Sequence, residues 1–358
     1  HFVGVGAMAA LLVTAGMSQI ALAGDSVYVN TSYLRYRTSA QIKDNNIAGN
    51  LSYGQKLERV GTSGQWTMIL LNGKKYYVSS AYVTSKKPAS AGAVQTTSQT
   101  AAGAQTSGGT AIALSSNYKY ANYSKINSGT ATLYRSTASN KKNKVVCVNA
   151  GHGTNGGGSV KTQCHPDGSA KVTGGTTGAG ATSAVAVSSG MTFADGTAES
   201  KVTLAMAKVL KTKLLNAGYD VLMIRESDDV QLDNIARTVI ANNNADCHIA
   251  LHWDSTSSNK GAFFMSVPSN ATYRAMEPVA SHWKQHNQLG ESLISGLKSA
   301  GVKIYSKGSM EMDLTQTSYS TIPSVDIELG DKASDHSGAT LETLANGLLA
   351  GVNTFFGQ

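Results

Sequence analysis

The sequence predicts an α/β domain, with a twisted, largely parallel sheet flanked by helices, preceded by a small all-β barrel. Three observations carry this expectation. After residue 118, runs of strand character alternate with runs of helical period. Before residue 85, short alternating segments are separated by turn signals. Between the two lies "PASAGAVQTTSQTAAGAQTSGGTA", composed almost wholly of Ser, Thr, Ala, Gly and Gln. Such a stretch buries too little apolar area to offset chain entropy, so 85–117 is expected to be a flexible linker. The resulting division is 1–24, 25–84, 85–117 and 118–358.

Residues 1–24 carry no charge and end in Ala21-Leu22-Ala23, the small-x-small pattern of a signal-peptidase site. The chain opens on His1 without a positive n-region, so a truncated start is expected. A membrane anchor is the competing reading, because the apolar run is about long enough to span. The abundance of small residues and the Ser18-Gln19 interruption favour a removable export signal and a secreted protein without stable membrane insertion.

In 25–84, "SVYVNTSYLRYRT" alternates, and Asn72-Gly73 separates two strand-like runs in "QWTMILLNGKKYYVSSAYV". Asn-Gly is a strong hairpin signal because both residues accept positive φ. Residues 25–88 hold nine Lys/Arg against three Asp/Glu, most of the formal net charge of +8. For an exported chain the natural counter-charge is an anionic surface polymer. No Lys/Arg-rich helix or aromatic-basic array points to nucleic acid. Three cysteines exclude a disulfide scaffold.

In 118–358, "KVVCVNAG" reads as a buried strand and "AESKVTLAMAKVLKTKLLNAG" as a helix with Gly218 just past its end. "YDVLMIR" is a strand, "QLDNIARTVIANN" a helix and "DCHIALH" a strand. "MEPVASHWKQHNQLGESLISGLKSAG" is mostly helical, "SVDIEL" is a strand and "GATLETLANGLLAGVNTFF" closes the chain as a helix.

Open α/β sheets gather functional groups at the carboxyl ends of strands. His152 follows one strand, His252 ends another, Glu328 lies near the end of a third, and Glu199 opens the first long helix. The glycines on either side of His152 allow a tight turn and leave room for an ion and a substrate carbonyl. Two histidines and a carboxylate with an open fourth position make a catalytic zinc set, with a further carboxylate as general base. Each residue alone has a plainer reading: His252 as a core histidine, Glu199 as a helix-dipole partner, Glu328 as the partner of a lysine such as Lys332. The phosphate-loop motif G-x-x-x-x-G-K-[ST] is absent.

From about Lys144 to Gly357 the sequence resembles the zinc-dependent N-acetylmuramoyl-L-alanine amidases, bacterial cell-wall hydrolases. The resemblance rests on the ordered series "VNAGHG", "ESKVTLAMAKVLKTKLLNAGYDVLMIRESDD", "LDNIARTVIANNNADCHIALHWDS" and "TIPSVDIELG". It implies zinc on His152, Glu199 and His252, with Glu328 as the catalytic carboxylate. It implies structural or supporting roles for Arg225, Asp228, Arg237, Ala241 and Asn242. The implied substrate is peptidoglycan, cut between N-acetylmuramic acid and L-alanine. A decayed wall-binding or adhesion protein, and a zinc peptidase acting within the wall peptide, remain open as alternatives. "LRYR", Gly54, Trp66, Asn72-Gly73 and "YVSSAYV" resemble a bacterial SH3-type domain, which implies wall binding.

Several positions depart from the family. The segment 153–198 is long and rich in Gly, Ser and Thr, and is read as a wall of the substrate groove, with a lid or a disordered insertion as alternatives. Trp253-Asp254 replaces a small residue and Asn. Asp326 stands where an apolar residue is usual, on the same strand face as Glu328, where its charge would raise the pKa of that base unless it pairs with a lysine or arginine. The usual basic residue is not evident in "MEMDLTQTSYSTIPS". His248 shares a strand face with His252, as a supporting group or a packed core histidine. Cys164-His165 is expected in a solvated loop, His282 and His286 on a helix surface, and Cys147 and Cys247 inside strands as small hydrophobes.

Overall fold

The computed structural model describes residues 25–30, 33–41, 44–52, 54–87 and 108–358. The expected export signal, 1–24, and most of the expected linker, 88–107, lie outside these residues. The chain divides into two compact units, 1–101 and 102–358. No helix among the described residues is long and apolar enough to cross a membrane.

The first unit contains β1 (Asp25–Val29), β2 (Tyr33–Arg37), β3 (Ile47–Ser52), β4 (Lys56–Ser63), β5 (Trp66–Leu71), β6 (Lys74–Ser79) and β7 (Val83–Thr84). They form one antiparallel sheet in the order β3-β2-β6-β5-β4-β1-β7. Asn72 and Gly73 turn β5 into β6 with φ of 49° and 74°, as a two-residue hairpin requires. Alternate apolar residues, among them Val27, Val29, Leu57, Ile69 and Val78, meet in one small core.

The second unit begins earlier than residue 118. β8 (Thr110–Ala113) pairs antiparallel with β9 (Thr130–Tyr134), inside the stretch read as linker. Four residues of "TAIA" show too short an alternation to stand out, and their order comes from the partner strand. There follow β10 (Val145–Ala150), β11 (Lys161–Gln163), β12 (Ser183–Val185), α1 (Glu199–Asn216), β13 (Asp220–Met223), α2 (Asn234–Asn244) and β14 (Cys247–Asp254). The chain closes with β15 (Ala262–Ser266), α3 (Ala271–Ala275), α4 (Val279–Ser299), β16 (Ile304–Glu311), α5 (Thr315–Tyr319), β17 (Ser324–Asp331) and α6 (Gly338–Phe356).

The main sheet runs β16-β15-β17-β14-β10-β13-β9-β8. Its centre, β17-β14-β10-β13, is parallel, as alternation of strand and helix predicts. Its flanks are not: β15 is antiparallel to β17, and β9 is antiparallel to β13. The connection from β14 to β15 spans only 255–261, too short for the crossover that a parallel return needs.

The period-two alternation of β10 builds a core on each face. Val146 and Val148 join Leu210, Leu214, Leu289, Leu293 and Leu348 from α1, α4 and α6. Cys147 joins Leu222, Ala236 and Ile240 on the side of α2. All three cysteines are free and buried. α2 starts on Asp233, whose carboxylate accepts from Ala236 N at 2.8 Å, and α1 ends ahead of Gly218 at φ 99°. His286 is not on a helix surface. It is 2% exposed, and its Nδ1 accepts from Ser324 N at 3.0 Å, a partner from β17 that helical spacing does not reveal.

Helices α4 and α6 approach closely at Gly296, where an added Cβ would lie 2.2 Å from Gly347 O and 2.4 Å from Gly351 N. Those contacts are backbone and cannot swing aside. Gly296→Ala is expected to lower stability by about 1–3 kcal/mol, read as a lower urea midpoint for the second unit.

Candidate active site

The end of β10 is turned by a left-handed histidine. His152 has φ 63° and Gly153 φ 73°, a pair that costs energy for a side-chain-bearing residue. Two buried arginines hold this turn in place. Arg225 donates to Ala150 O at 3.0 Å, Gly151 O at 2.9 Å and Ser200 O at 2.7 Å. Arg237 donates to His152 O at 2.7 Å, Ala150 O at 3.2 Å and Asn149 Oδ1 at 3.1 Å. Burial pushes the guanidinium pKa values down, to about 10 for Arg225 and about 9 for Arg237, so both stay charged at neutral pH.

The flanking glycines make room, but for protein groups. A Cβ on Gly151 would lie 2.2 Å from the His252 ring, and one on Gly153 would lie 2.7 Å from the Arg225 guanidinium. The clearance expected for an ion and a substrate carbonyl is filled by these two side chains.

His152, Glu199 and His252 come together. His152 Nε2 lies 2.9 Å from Glu199 Oε1 and 3.0 Å from His252 Nδ1, and that nitrogen lies 3.1 Å from Glu199 Oε1. His152 Nδ1 lies 2.9 Å from Ser188 O, which can only accept, so Nδ1 carries a proton and Nε2 is the nitrogen turned to the cluster. Glu199, the first residue of α1, accepts from Met191 N at 2.9 Å and Trp253 N at 3.0 Å. Burial disfavours its charge, yet the bonds from His152 and His252 prevail and hold its carboxyl well below the usual range. Burial likewise lowers the His252 pKa, but Asp326, Glu199 and Glu328 outweigh it and raise it to about 10.

Two imidazole nitrogens facing each other at 3.0 Å across a carboxylate oxygen need a proton or a cation between them. The three residues form a group able to hold a metal ion, and their N,N,O donor set suits zinc.

Glu328 stands beside the cluster because β17 is parallel to β14 and in register, Glu328 opposite His252 and Asp326 opposite Ala250. It is 8% exposed, and its Oε2 has no hydrogen-bond partner. Burial first, and Asp326 second, push its pKa well above the ordinary value. Lys332 forms no ion pair with it among the described residues. Asp326 pairs with His252 Nε2 at 3.5 Å rather than with a lysine or arginine. Asp254 is drawn aside by Lys260 Nζ at 2.5 Å and Thr256 Oγ1 at 2.6 Å. His248 is a packed core histidine: it is fully buried, 3.1 Å from Asn149 Nδ2, and burial followed by Arg237 lowers its pKa to about 3.

His152, Glu199, His252, Asp326 and Glu328 line a cleft of about 500 Å³. Segment 153–198 lines one side of it, through Lys171, Thr176, Val187 and Gly190 among others. It is folded and anchored. β11 and β12 form a hairpin, and Tyr319 donates to Gln163 O at 3.1 Å. The main anchor is Asp313, fully buried, which accepts from His165 Nε2 at 2.9 Å, Lys171 Nζ at 3.1 Å, Val172 N at 2.8 Å and Thr173 N at 3.0 Å. Cys164 and His165 are each 1% exposed, so the expectation of a solvated loop is corrected. Nothing in a Ser/Gly-rich sequence marks Ser188, Gly190 or Met191 as supports of the site, because two of them act through backbone atoms and one through lacking a side chain.

A mixed α/β domain with a His–Glu–His cluster and a buried free carboxylate at the carboxyl ends of its parallel strands has the layout of a hydrolase. Residues 146–345 match the N-acetylmuramoyl-L-alanine amidase family (Amidase_3), and the chain belongs to that family. Among solved structures, it is similar to the apo form of the N-acetylmuramyl-L-alanine amidase Ami1 from Mycobacterium abscessus. Identity is 19%, 60% of this chain and 98% of that chain are covered, and the TM-score is 0.46. Ami1 from Mycobacterium smegmatis is 20% identical over 61% of this chain and 99% of that chain, with a TM-score of 0.46. An N-acetylmuramoyl-L-alanine amidase from Clostridium difficile 630 is 16% identical over 60% and 97%, with a TM-score of 0.42. No curated protein matches the chain.

Asp313→Asn removes the charge opposite Lys171 inside the protein, and is expected to cost about 3–5 kcal/mol. Proteolysis should then cut within 153–198 at urea concentrations that leave the wild type intact. Burial opposes the Asp313 charge, but His165, Thr173 and the other partners hold its carboxyl below its unfolded value. Its contribution is therefore complete above a pH of about 4 and is lost only as pH falls below that value.

Proposed function

We propose that the second unit is a zinc-dependent N-acetylmuramoyl-L-alanine amidase, hydrolysing the amide between N-acetylmuramic acid and L-alanine in peptidoglycan. The convergence of His152 Nε2, Glu199 Oε1 and His252 Nδ1 beside the unpartnered Glu328 Oε2 carries this reading. His152, Glu199 and His252 would hold the ion. Zinc, when bound, supplies a Lewis acid and lowers the pKa of water to roughly 7.

Glu328 Oε2 takes a proton from the attacking water as the new C–O bond forms at the amide carbon. The same oxygen returns that proton to the L-alanine nitrogen as the C–N bond breaks, so the amine leaves neutral. Glu328 suits both steps because it is buried, free of lysine and directly opposite His252. Arg225 and Arg237 keep the His152 turn rigid, and segment 153–198 limits what enters the cleft.

We assign the first unit an SH3-type fold and a wall-binding role. Its excess of basic residues suits peptidoglycan together with anionic wall polymers. With 1–24 as an export signal and the Ser/Thr/Ala/Gly stretch as a tether, binding would raise the local concentration of the hydrolase at an insoluble substrate.

Digestion of purified peptidoglycan by the full chain is expected to expose amino-terminal L-alanine, and a zinc chelator should abolish this. New termini of another amino acid would move the scissile bond into the peptide. An intact, zinc-loaded chain that releases nothing would point to a wall-binding protein. Glu328→Gln should lower kcat by about 10²- to 10⁴-fold while zinc stays bound. Gly190→Ala should lose zinc instead, because its Cβ would meet Glu199 Oε2 and His152 Cδ2, both at 2.8 Å, from a backbone at φ 82°.

A further inference from the structure

His252 turns its two nitrogens toward different carboxylates. Nδ1 faces Glu199 Oε1 at 3.1 Å, while Nε2, on the far edge of the ring, faces Asp326 Oδ2 at 3.5 Å. A neutral imidazole has one donor and one acceptor nitrogen. For Nδ1 to present a lone pair to the cluster, the proton must sit on Nε2, and Asp326 is the carboxylate that faces it.

The placement follows from the strands. β17 lies parallel to β14, and period two puts Asp326 and Glu328 on one face. Opposite Asp326 is Ala250, whose small side chain leaves the carboxylate free to reach the neighbouring ring. Gly151 closes off the other side of that ring. No lysine or arginine pairs with Asp326 among the described residues, and its Oδ1 has no hydrogen-bond partner. A carboxylate here is also a departure from the family, whose pattern implies an apolar residue.

We infer that Asp326 is a positioning residue: it receives the Nε2 proton of His252, fixes that ring with Nδ1 toward Glu199 and His152, and so tightens the hold on the ion. The inference rests on the zinc reading above. A carboxylate behind a metal-ligating imidazole commonly has this effect, and losing it costs about 10- to 100-fold in metal affinity.

The test is zinc competition against a chromophoric chelator for the full-length wild type, Asp326→Asn, Asp326→Leu and Glu328→Gln. It is joined to the proton resonance of His252 Nε2–H in the ¹⁵N-histidine-labelled, zinc-loaded protein. Both Asp326 variants should bind zinc about 10- to 100-fold more weakly, while Glu328→Gln stays close to wild type. The Nε2–H resonance should lie downfield in the wild type and move upfield in Asp326→Asn. Zinc affinity equal to that of the wild type in both Asp326 variants would overturn the inference. So would a wild-type resonance with no sign of a hydrogen bond, an outcome independent of how any variant folds. A wild type that takes up no zinc would overturn the zinc reading itself, and this inference with it.

Discussion

The site depends on two positive charges buried under one turn. Left-handed backbone at His152 is unfavourable, and the carbonyl oxygens of buried Ala150, Gly151 and His152 need donors. Arg225 and Arg237 answer both needs by donating to Ala150, Gly151 and His152 carbonyl oxygens. Neither guanidinium is paired with a carboxylate at this turn, so its desolvation is offset by several charge-assisted hydrogen bonds to backbone dipoles. Replacing either would leave unpaired carbonyls and a strained turn together. His248 belongs to this support: Asn149 links Arg237 to its ring beneath the site.

Around that turn the sheet acts as a ruler. Parallel pairing of β10, β14 and β17 sets His152, His252 and Glu328 side by side at neighbouring strand ends. Glu199 arrives from another direction, at the start of α1, fixed by amides of Met191 and Trp253. The result is a compact acidic cleft floor in which a small shift of any strand would be felt by every donor.

Much of this was legible beforehand, and the reasons are physical. β10, β14, β17, α1, α2, α4 and α6 have strong periodicity, so their ends, and thus His152, Glu199, His252 and Glu328, were placed from local pattern alone. What was not legible depends on distant partners. β8 owes its order to β9, and the burial of His286 to an amide of β17. Segment 153–198 looks like loop by composition, and its anchoring rests on Asp313 meeting Lys171 across 142 residues. Asp326 stood out in the sequence, but its contact with His252 Nε2 rather than with a cation came from register.

Segment 153–198 begins immediately after one member of the His–Glu–His cluster and ends immediately before another. It also supplies Ser188 O to the first and Met191 N to the second. A chain in which this segment is undocked therefore lacks one of the contacts that orient each of the two side chains. The cluster is complete only when the wall beside it is docked, so an ion held tightly there reports on a segment that is in place.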